Sequence, residues 1–501
     1  MTNLATNLVA TATRIPDKVG IKLDQVEVTW SQLHAAAAKV AGQLRAAGLE
    51  AGDRVSLILP NVPAYPVAFY GTLLAGGVVV PMNPLLKAGE IQYFYEDSGA
   101  RFSFVWPDFA EEAGKAAAET GTRLLVCGPM GPADGQFDAS ESAVEPVTEP
   151  TPRADDDDAV ILYTSGTTGK PKGAELTHRN LHRNAEVTAA DIMEIEQDDV
   201  IMGCLPLFHV FGLTCGLNTS VLRGSTLSLI PRFDPAKAIE VLGRDRVTIF
   251  QGVPTMYAAM LHHPDAGSAD ASSLRTCASG GSAMPAQVMK EFEATFGCQI
   301  LEGYGLSETS PVASFNMPDQ PTKPGTIGRA IPGCEMKLVD LDGNETPAGE
   351  IGEIAIRGEN IMKGYWNRPE ATKDAIPDGW FRSGDLATVD EEGYYTIVDR
   401  KKDLIIRGGM NVYPREVEEV LYTHPDVLEA AVVGVPDDLM GEEIGAAVVL
   451  RPGATATLDD VRDYVKERLA AYKYPRRLWE LDELPKGPTG KILRREVRAG
   501  S

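Results

Sequence analysis

The sequence predicts an α/β fold, and three observations carry that expectation. Amphipathic helix-like stretches alternate with short β-branched runs through most of the chain, and 44% hydrophobic with 24% charged residues is the balance of a folded globular protein. The character changes after Asp399, where a basic stretch leads into a compact unit of about 100 residues.

Taken in order, the pattern reads as a helix over 30–47, a strand over 54–59, a helix over 63–74 and a strand over 77–81. The apolar run 159–162 reads as a strand, and the alternation resumes through 200–208, 236–242, 247–253 and 287–296, with a strand-like 274–278 among them. Residues 130–158 are rich in Pro, Gly, Ser and acid, which predicts a surface connection between subdomains whose end, Asp155 to Asp158, is a solvated charge run. The boundary of the last unit is placed at Arg400-Lys401-Lys402, with helices expected over 415–423 and 458–469.

A length of 501 residues suggests about three domains. Apolar runs such as 75–81 fall far short of the ~20 residues that span a bilayer, so no transmembrane helix is expected. The N-terminal stretch has no basic start before its apolar part, and a cytoplasmic location is expected. Six cysteines without Cys-x-x-Cys spacing argue against a zinc site and a disulfide framework, leaving buried small apolar groups as their reading. A formal charge of −24 argues against a nucleic-acid partner, although a local basic cluster could still hold a phosphorylated small molecule. Oligomeric state and peripheral membrane contact are left open.

The most informative run is YTSGTTGKPKG, from Tyr163 to Gly173. Hydroxyls at Thr164, Ser165, Thr167 and Thr168, glycines at Gly166, Gly169 and Gly173 that free backbone N–H groups to point inward, and the charges of Lys170 and Lys172 suit a polyphosphate. Pro171 after the first lysine sets it apart from the Walker pattern, in which Gly-Lys-[Ser/Thr] opens a helix. The alternative, a flexible connector, sits poorly with spaced lysines leaving a buried strand.

A second run, EGYGLSET from Glu302 to Thr309, offers Tyr304 as a ring to stack on a purine and Glu308 as a carboxylate for a divalent cation. Ser307 capping a helix with Glu308 in its first turn would explain the SET triplet alone about as well. Gly280, Gly281 and Ser282 would let a flat base approach the backbone, and Asp385 in Ser383-Gly384-Asp385 with Arg400 could grip a ribose from two sides. His209 lies among apolar neighbours, where a lone histidine is commonly a hydrogen-bonded core residue; its functional alternative is a contact at an acyl pocket. Lys491, in PKGPTGK, is by default a surface lysine. No Gly-x-Ser-x-Gly elbow, His-Glu-x-x-His or strand-following GxGxxG is present, so hydrolase, metalloprotease and Rossmann oxidoreductase readings lack motif support.

YTSGTTGKPKG, EGYGLSET, GWFRSGDLA, YYTIVDRKKDLIIRGGMNVYPREVE and PKGPTGK, in this order and over nearly the whole chain, resemble the adenylate-forming superfamily of acyl-CoA synthetases, aryl-CoA ligases, adenylation domains and beetle luciferases. The resemblance implies a large N-terminal domain of stacked α/β subdomains with a small β-barrel-like part over 1–399, a hinge at 400–402 centred on Lys402, and a small mobile α+β lid over 403–501. It also implies two-step chemistry: a carboxylate attacks the α-phosphate of ATP to give an acyl-adenylate and pyrophosphate, then the thiol of CoA displaces AMP. Mg2+ accompanies the ATP.

By matching position, Lys491 bridges the carboxylate and the α-phosphate, with His209 and Thr309 beside the reacting groups. Thr164 and Glu308 are the magnesium-side residues, and the loop from Thr164 to Lys172 holds the outer phosphates. Gly281, Ser282, Gly303, Tyr304 and Gly305 form the adenine pocket, and Asp385 and Arg400 hold the ribose. Rotation of the lid withdraws Lys491 and presents Gly408-Gly409 beside the thiol channel, with Lys473 either at the CoA phosphates or a solvated surface group.

The resemblance places the acyl pocket at His209, Phe211, Gly252, Val253, Ala278, Ser279 and Gly303. The matching segments, 208–213, 251–256, 278–281 and 303–305, carry no Arg, Lys, Asp or Glu, so a dicarboxylate such as malonate would bury an unpaired charge. Small residues with Val253 and Phe211 suit an aliphatic chain. The expected activity is that of a medium- or long-chain fatty acyl-CoA synthetase, with a 4-coumarate-type aryl-CoA ligase and a stand-alone enzyme loading a carrier protein as alternatives.

Overall fold

The computed structural model describes residues 3–164, 170–320, 322–340, 342–487 and 491–497. Two large sheets build the N-terminal domain. One has eight strands in the order Gly364–Tyr365, Lys172–Thr177, Asp158–Thr164, Val78–Pro81, Arg54–Ile58, Ala100–Val105, Arg123–Gly128 and Gly131–Pro132, parallel through its middle and antiparallel at both ends.

The other has nine strands. Gln299–Gly305, Thr276–Ser279, Ile249–Gly252, Val200–Gly203, Thr226–Leu229 and Val19–Leu23 run parallel side by side. Val312–Phe315 and Arg329–Ala330 extend one side and Val26–Thr29 the other, all antiparallel. Val/Ile/Leu-rich strands need cover on both faces, and helices provide it.

The helix Ala64–Ala75 is buried along its whole length, as a helix apolar all round must be, and the Tyr65 and Tyr70 hydroxyls donate from it to Leu207 O (2.7 Å) and Asn218 Oδ1 (2.9 Å). Those two bonds tie a helix of one half of the domain to the other half. The helix Trp30–Ala46 starts where Thr29 and Gln32 cap each other's backbone N–H groups, and its Trp30 fills the site left open by Gly20, where a Cβ would lie 2.5 Å from the indole.

The part expected to be barrel-like is a four-stranded antiparallel sheet, Cys334–Val339, Gly352–Gly358, Phe381–Val389 and Tyr395–Arg400, whose ladder runs open from first strand to last. The small C-terminal domain follows. Its sheet orders Met410–Val412, Ile405–Arg407, Gly441–Leu450 and Val427–Asp437, with Arg477–Glu480 parallel to Gly441–Leu450, and has its own apolar core around Val417, Leu421, Val432, Ile444 and Val461.

The elements read from the pattern recur with ends moved by up to three residues: Trp30–Ala46, Arg54–Ile58, Ala64–Ala75, Val78–Pro81, Pro235–Arg244, Ile249–Gly252, Ala286–Phe296, Pro414–Tyr422 and Leu458–Lys466. The run 200–208 is strand only over Val200–Gly203; a loop carries His209, and Phe211–Asn218 winds as a π-helix. Between 130 and 158 lie only the short strand Gly131–Pro132 and the one-turn helix Ala139–Ser142. Its acidic end differs from a free solvated run, because Asp156 pairs with Arg179 (3.2 Å), Asp157 with Arg153 (3.2 Å) and Asp158 with Lys363 (3.1 Å). Cys127, Cys204, Cys215 and Cys277 are buried, Cys298 and Cys334 half-buried, and all are free thiols. Among the described residues no helix is long and apolar enough to cross a membrane.

Candidate active site

The phosphate-type loop joins two strands of a hairpin. Asp158–Thr164 pairs antiparallel with Lys172–Thr177, and Thr164 stands opposite Lys172, so the register brings both ends of the loop together. Ser165, Gly166, Thr167, Thr168 and Gly169 lie outside the described residues. Gly173 belongs to the second strand and not to a set of inward N–H groups. It is glycine because a Cβ there would lie 2.5 Å from Ile161 Cγ2. The ammonium groups of Lys170 and Lys172 sit 5.0 Å from the ring centres of Tyr93 and Tyr365 respectively.

Glu308 reaches this hairpin from a 3₁₀ turn, Ser307–Thr309. Its carboxylate is buried, and its Oε1 accepts from Tyr365 OH (2.9 Å) and at 3.5 Å from Thr164 Oγ1. Ser307 is no cap here, since Leu306 precedes the turn. Burial pushes the Glu308 carboxyl above the usual range, against the pull of hydrogen bonds from its own backbone and from Tyr365 and Thr164. Such a carboxylate gains from a nearby cation. One carboxylate and one hydroxyl, all oxygen donors, are what a magnesium ion takes from a protein when phosphate oxygens complete its shell, so the residues present fit that ion. Thr309 is fully buried, and its hydroxyl is engaged within the turn, donating to Pro311 O and Leu306 O and accepting from Leu306 N (2.8 Å).

Two further motifs are joined directly. Tyr304 OH donates to Asp385 Oδ2 (2.5 Å), and Asp385 Oδ1 lies 3.2 Å from Arg400 Nε. The second contact follows from sheet register, because Asp385 and Arg400 are Cα partners on adjacent antiparallel strands. Gly384 adopts a left-handed φ of 75° and donates its N–H to Glu353 Oε1 (3.0 Å), while Lys401 Nζ holds Glu353 Oε2 (3.1 Å). Gly281, also left-handed at 80°, and Ser282 are exposed just beyond the strand Thr276–Ser279.

Gly252, Ala278, Ser279 and Gly303 sit toward the carboxyl ends of neighbouring parallel strands, the edge where ligands bind in α/β sheets. The structure brings Phe211 to them: a Cβ on Gly280 would meet the Phe211 ring at 3.2 Å, and one on Gly281 would meet Val253 Cγ1 at 3.4 Å. Two of the small residues have a different reason for being small. A Cβ at Gly303 would lie 2.0 Å from the Phe315 ring, and one at Gly252 2.9 Å from the Phe250 ring, so core aromatics occupy that space. Ser279 is fully buried.

Lys491 lies in the second arm of a short C-terminal hairpin, paired through Gly487 N–H to Lys491 O and Leu493 N–H to Pro485 O, both 2.8 Å. Burial lowers its pKa to about 8, with Arg400, Arg494 and Lys402 adding to the shift and Asp385 opposing it. The C-terminal lysine thus lies within electrostatic reach of the Asp385–Arg400 pair. It also reaches His209, whose pKa burial and then the Lys491 charge push down to about 4. The His209 Nδ1 accepts from Phe211 N–H (3.3 Å), which leaves the hydrogen on Nε2.

The remaining expected residues lie on the C-terminal domain's own surfaces. Gly408 and Gly409 are exposed at the turn of the hairpin 405–412, with Gly408 N–H on Met440 O (2.8 Å). Lys473 Nζ is 2.7 Å from both Glu416 oxygens, a partner that makes it an ion pair within the domain. Lys402 is exposed. Tyr365 and Glu353 were not singled out by sequence reasoning. Neither belongs to a run with a phosphate- or nucleotide-type pattern, and only sheet pairing brings them in.

With this geometry established, the chain's relationships fall into place. The family model of AMP-binding enzymes matches residues 8–366, and that of the AMP-binding enzyme C-terminal domain matches 416–491. The chain belongs to this adenylate-forming family, and it is an acyl-CoA synthetase, an acid–thiol ligase.

Among its relatives, a long-chain-fatty-acid–CoA ligase of Bacillus subtilis is 38% identical, covering 98% of this chain and 93% of its own length. A feruloyl-CoA synthase of an Amycolatopsis species is 40% identical over 96% of both chains. The solved benzoate CoA ligase of Burkholderia xenovorans superposes with a TM-score of 0.92 at 33% identity, covering both chains completely. ATP-bound MatB from Rhodopseudomonas palustris gives 0.92 at 34%, covering 99% of this chain and 98% of its own.

Proposed function

We propose that this enzyme is a fatty acyl-CoA synthetase for medium- or long-chain acids, converting acid, ATP and CoA to acyl-CoA, AMP and pyrophosphate. What supports the adenylation part of this reading is that Lys491, half-buried in the C-terminal hairpin, lies within electrostatic reach of the Asp385–Arg400 pair across the domain boundary. In the first step a carboxylate oxygen forms a bond to the α-phosphorus while the bond to the bridging oxygen of the β-phosphate breaks and pyrophosphate leaves. Attack of one anion on another requires the charge between them to be offset, and a lysine at that point does so most in the transition state.

Asp385 and Arg400 orient the ribose, Tyr304 lies against the base, and Lys170 and Lys172 hold the leaving phosphates. Thr164 and Glu308 would hold a magnesium ion, which when bound offsets phosphate charge. His209, neutral at physiological pH, is a polar wall of the acyl site, with Nε2–H free to orient the carboxylate. Thr309 acts through the turn that positions Glu308. In the second step the thiol sulfur bonds to the acyl carbon and AMP leaves, after the lid has turned about Lys402 to bring Gly408-Gly409 to the site; Lys473 would serve the CoA phosphates only by exchanging its Glu416 partner for them.

The uncharged segments around Phe211, Val253 and Ser279 support an acid with an apolar tail. The 40% identity to a feruloyl-CoA synthase supports a second reading, an aryl acid, and the Phe211 ring facing Gly280 suits a flat substrate. Thioester formation measured across acetate, octanoate, palmitate, benzoate and coumarate separates the two. Palmitate or octanoate is expected to give the highest kcat/KM, and a clear preference for coumarate or benzoate would overturn the fatty-acid assignment.

A further inference from the structure

Three residues beyond Lys491, the Arg494 guanidinium makes contacts on both sides of the domain boundary. Nε and Nη2 form a two-point pair with Glu418 of the C-terminal domain (3.1 and 2.5 Å), and Nη1 lies 3.4 Å from Asp403 Oδ2 of the same domain. The same Nη1 lies 3.4 Å from Oδ1 of Asp399, which belongs to the last strand, Tyr395–Arg400, of the N-terminal domain's antiparallel sheet.

Asp399 is buried at 2% exposure and is a collecting point for the boundary. Its oxygens also accept from Arg400 N–H (2.7 Å) and from Arg415 N–H (2.9 Å), the latter in the first turn of the helix Pro414–Tyr422, and Arg415 Nη1 donates to Ile397 O (2.8 Å). A planar guanidinium can pair with one carboxylate at two points while a further N–H reaches others, a fixed fork that the single ammonium of lysine does not reproduce.

We propose that Arg494 is a positioning residue that latches the Lys491 hairpin onto the N-terminal domain through Asp399, and so holds the lysine in the adenylation site. The hairpin is short, with Lys491 paired to Gly487 in its second arm and Arg494 just past its base, so the Arg494 anchor fixes where the ammonium lies. Glu418 and Asp403 move with the C-terminal domain and Asp399 does not. The contact to Asp399 therefore exists only while Lys491 is docked, and turning the lid breaks it without unpairing Arg494 from Glu418. The latch supports the first half-reaction and is released for the second. This inference rests on the proposed role of Lys491.

The test measures each half-reaction by itself, as acid-dependent exchange of pyrophosphate into ATP and as thioester formation from supplied acyl-adenylate, for R494Q, D399N, the double variant and R494K, with K491A alongside. Misplacing a reacting group by about an ångström costs on the order of a hundredfold, so R494Q is expected to lower exchange at saturating ATP by at least about tenfold. Thioester formation should stay within about twofold of wild type, with the double variant no worse than the poorer single one. R494K is expected to recover part of the exchange rate. A loss shared equally by both half-reactions, or exchange at the wild-type rate in R494Q, overturns the latch. If K491A itself keeps full exchange, the parent reading fails instead, so the two failures are distinguishable.

Discussion

The hydroxyl of Tyr304 donates to the carboxylate of Asp385, joining the aromatic residue of one motif to the acid of another that lies 81 positions away. The base-facing and ribose-facing elements are thus one unit, further tied by Asp385 to Arg400. Removing the hydroxyl in Tyr304→Phe keeps the ring and frees the acid. A hydrogen bond to a charged group is worth about 1.5–3 kcal/mol, so KM for ATP is expected to rise about tenfold with little change in kcat. An unchanged KM would show that the tie does not organise the nucleotide site.

Glu308 is expected to matter through its charge. Glu308→Gln keeps the shape and the bond from Tyr365, yet removes the carboxylate that a magnesium ion would require, and should lower adenylation by about a hundredfold. The magnesium concentration for half-maximal rate should rise with it. Tyr365→Phe, which removes only the 2.9 Å bond to the Glu308 carboxylate, should cost about 1.5–3 kcal/mol, on the order of ten- to a hundredfold.

Lys491 should impose a pH limb on the first step. Its pKa, lowered to about 8, means that the unliganded enzyme loses the ammonium charge as pH rises through that value. The kcat/KM for ATP in pyrophosphate exchange is therefore expected to fall about tenfold per pH unit above 8, since kcat/KM reports the free enzyme. Lys491→Arg, slower overall, should show no such limb because arginine keeps its proton. A limb that persists unchanged in that variant would assign it to another group.

Glu302 bears on stability. It is buried, one oxygen accepts from Met284 N–H (3.0 Å), the other has no hydrogen-bond partner among the described residues, and burial pushes its pKa up to about 7. A carboxyl whose folded pKa is raised holds its proton longer in the folded than in the unfolded state, so stability falls as pH rises from 4.5 to about 7 and then levels off. The integrated loss is roughly 3 kcal/mol. Glu302→Gln should therefore melt above wild type at pH 8 and close to it at pH 4.5, and a melting difference independent of pH would contradict the assignment.

The parts of the site visible in the sequence are those built from local chemistry. Gly-, Ser- and Thr-rich loops, Lys491 behind its Pro-Gly turn, and the Ser383-Gly384-Asp385 run stand out because backbone freedom and hydroxyls at close spacing are uncommon elsewhere. Apolar periodicity likewise located the helices Trp30–Ala46 and Ala286–Phe296 and the strand Val78–Pro81. Partners set by tertiary register were not visible: Tyr365 beside Glu308, Glu353 beneath Gly384, and Arg494 on Asp399 are ordinary residues until the chain folds. Gly252 and Gly303 look in the sequence like room for a substrate, because sequence cannot tell a gap from a position filled by a neighbour's ring, which Phe250 and Phe315 supply. The run after Gly203 hid a π-helix, since its apolar composition fits strand and helix alike.

The central claim is that Lys491 serves the attack on ATP and not the thioester step. Pyrophosphate exchange and thioester formation from supplied acyl-adenylate, measured on Lys491→Ala, test it most directly. Exchange is expected to fall by about a hundredfold or more while thioester formation stays within about twofold of wild type; equal loss in both, or retained exchange, would contradict the account.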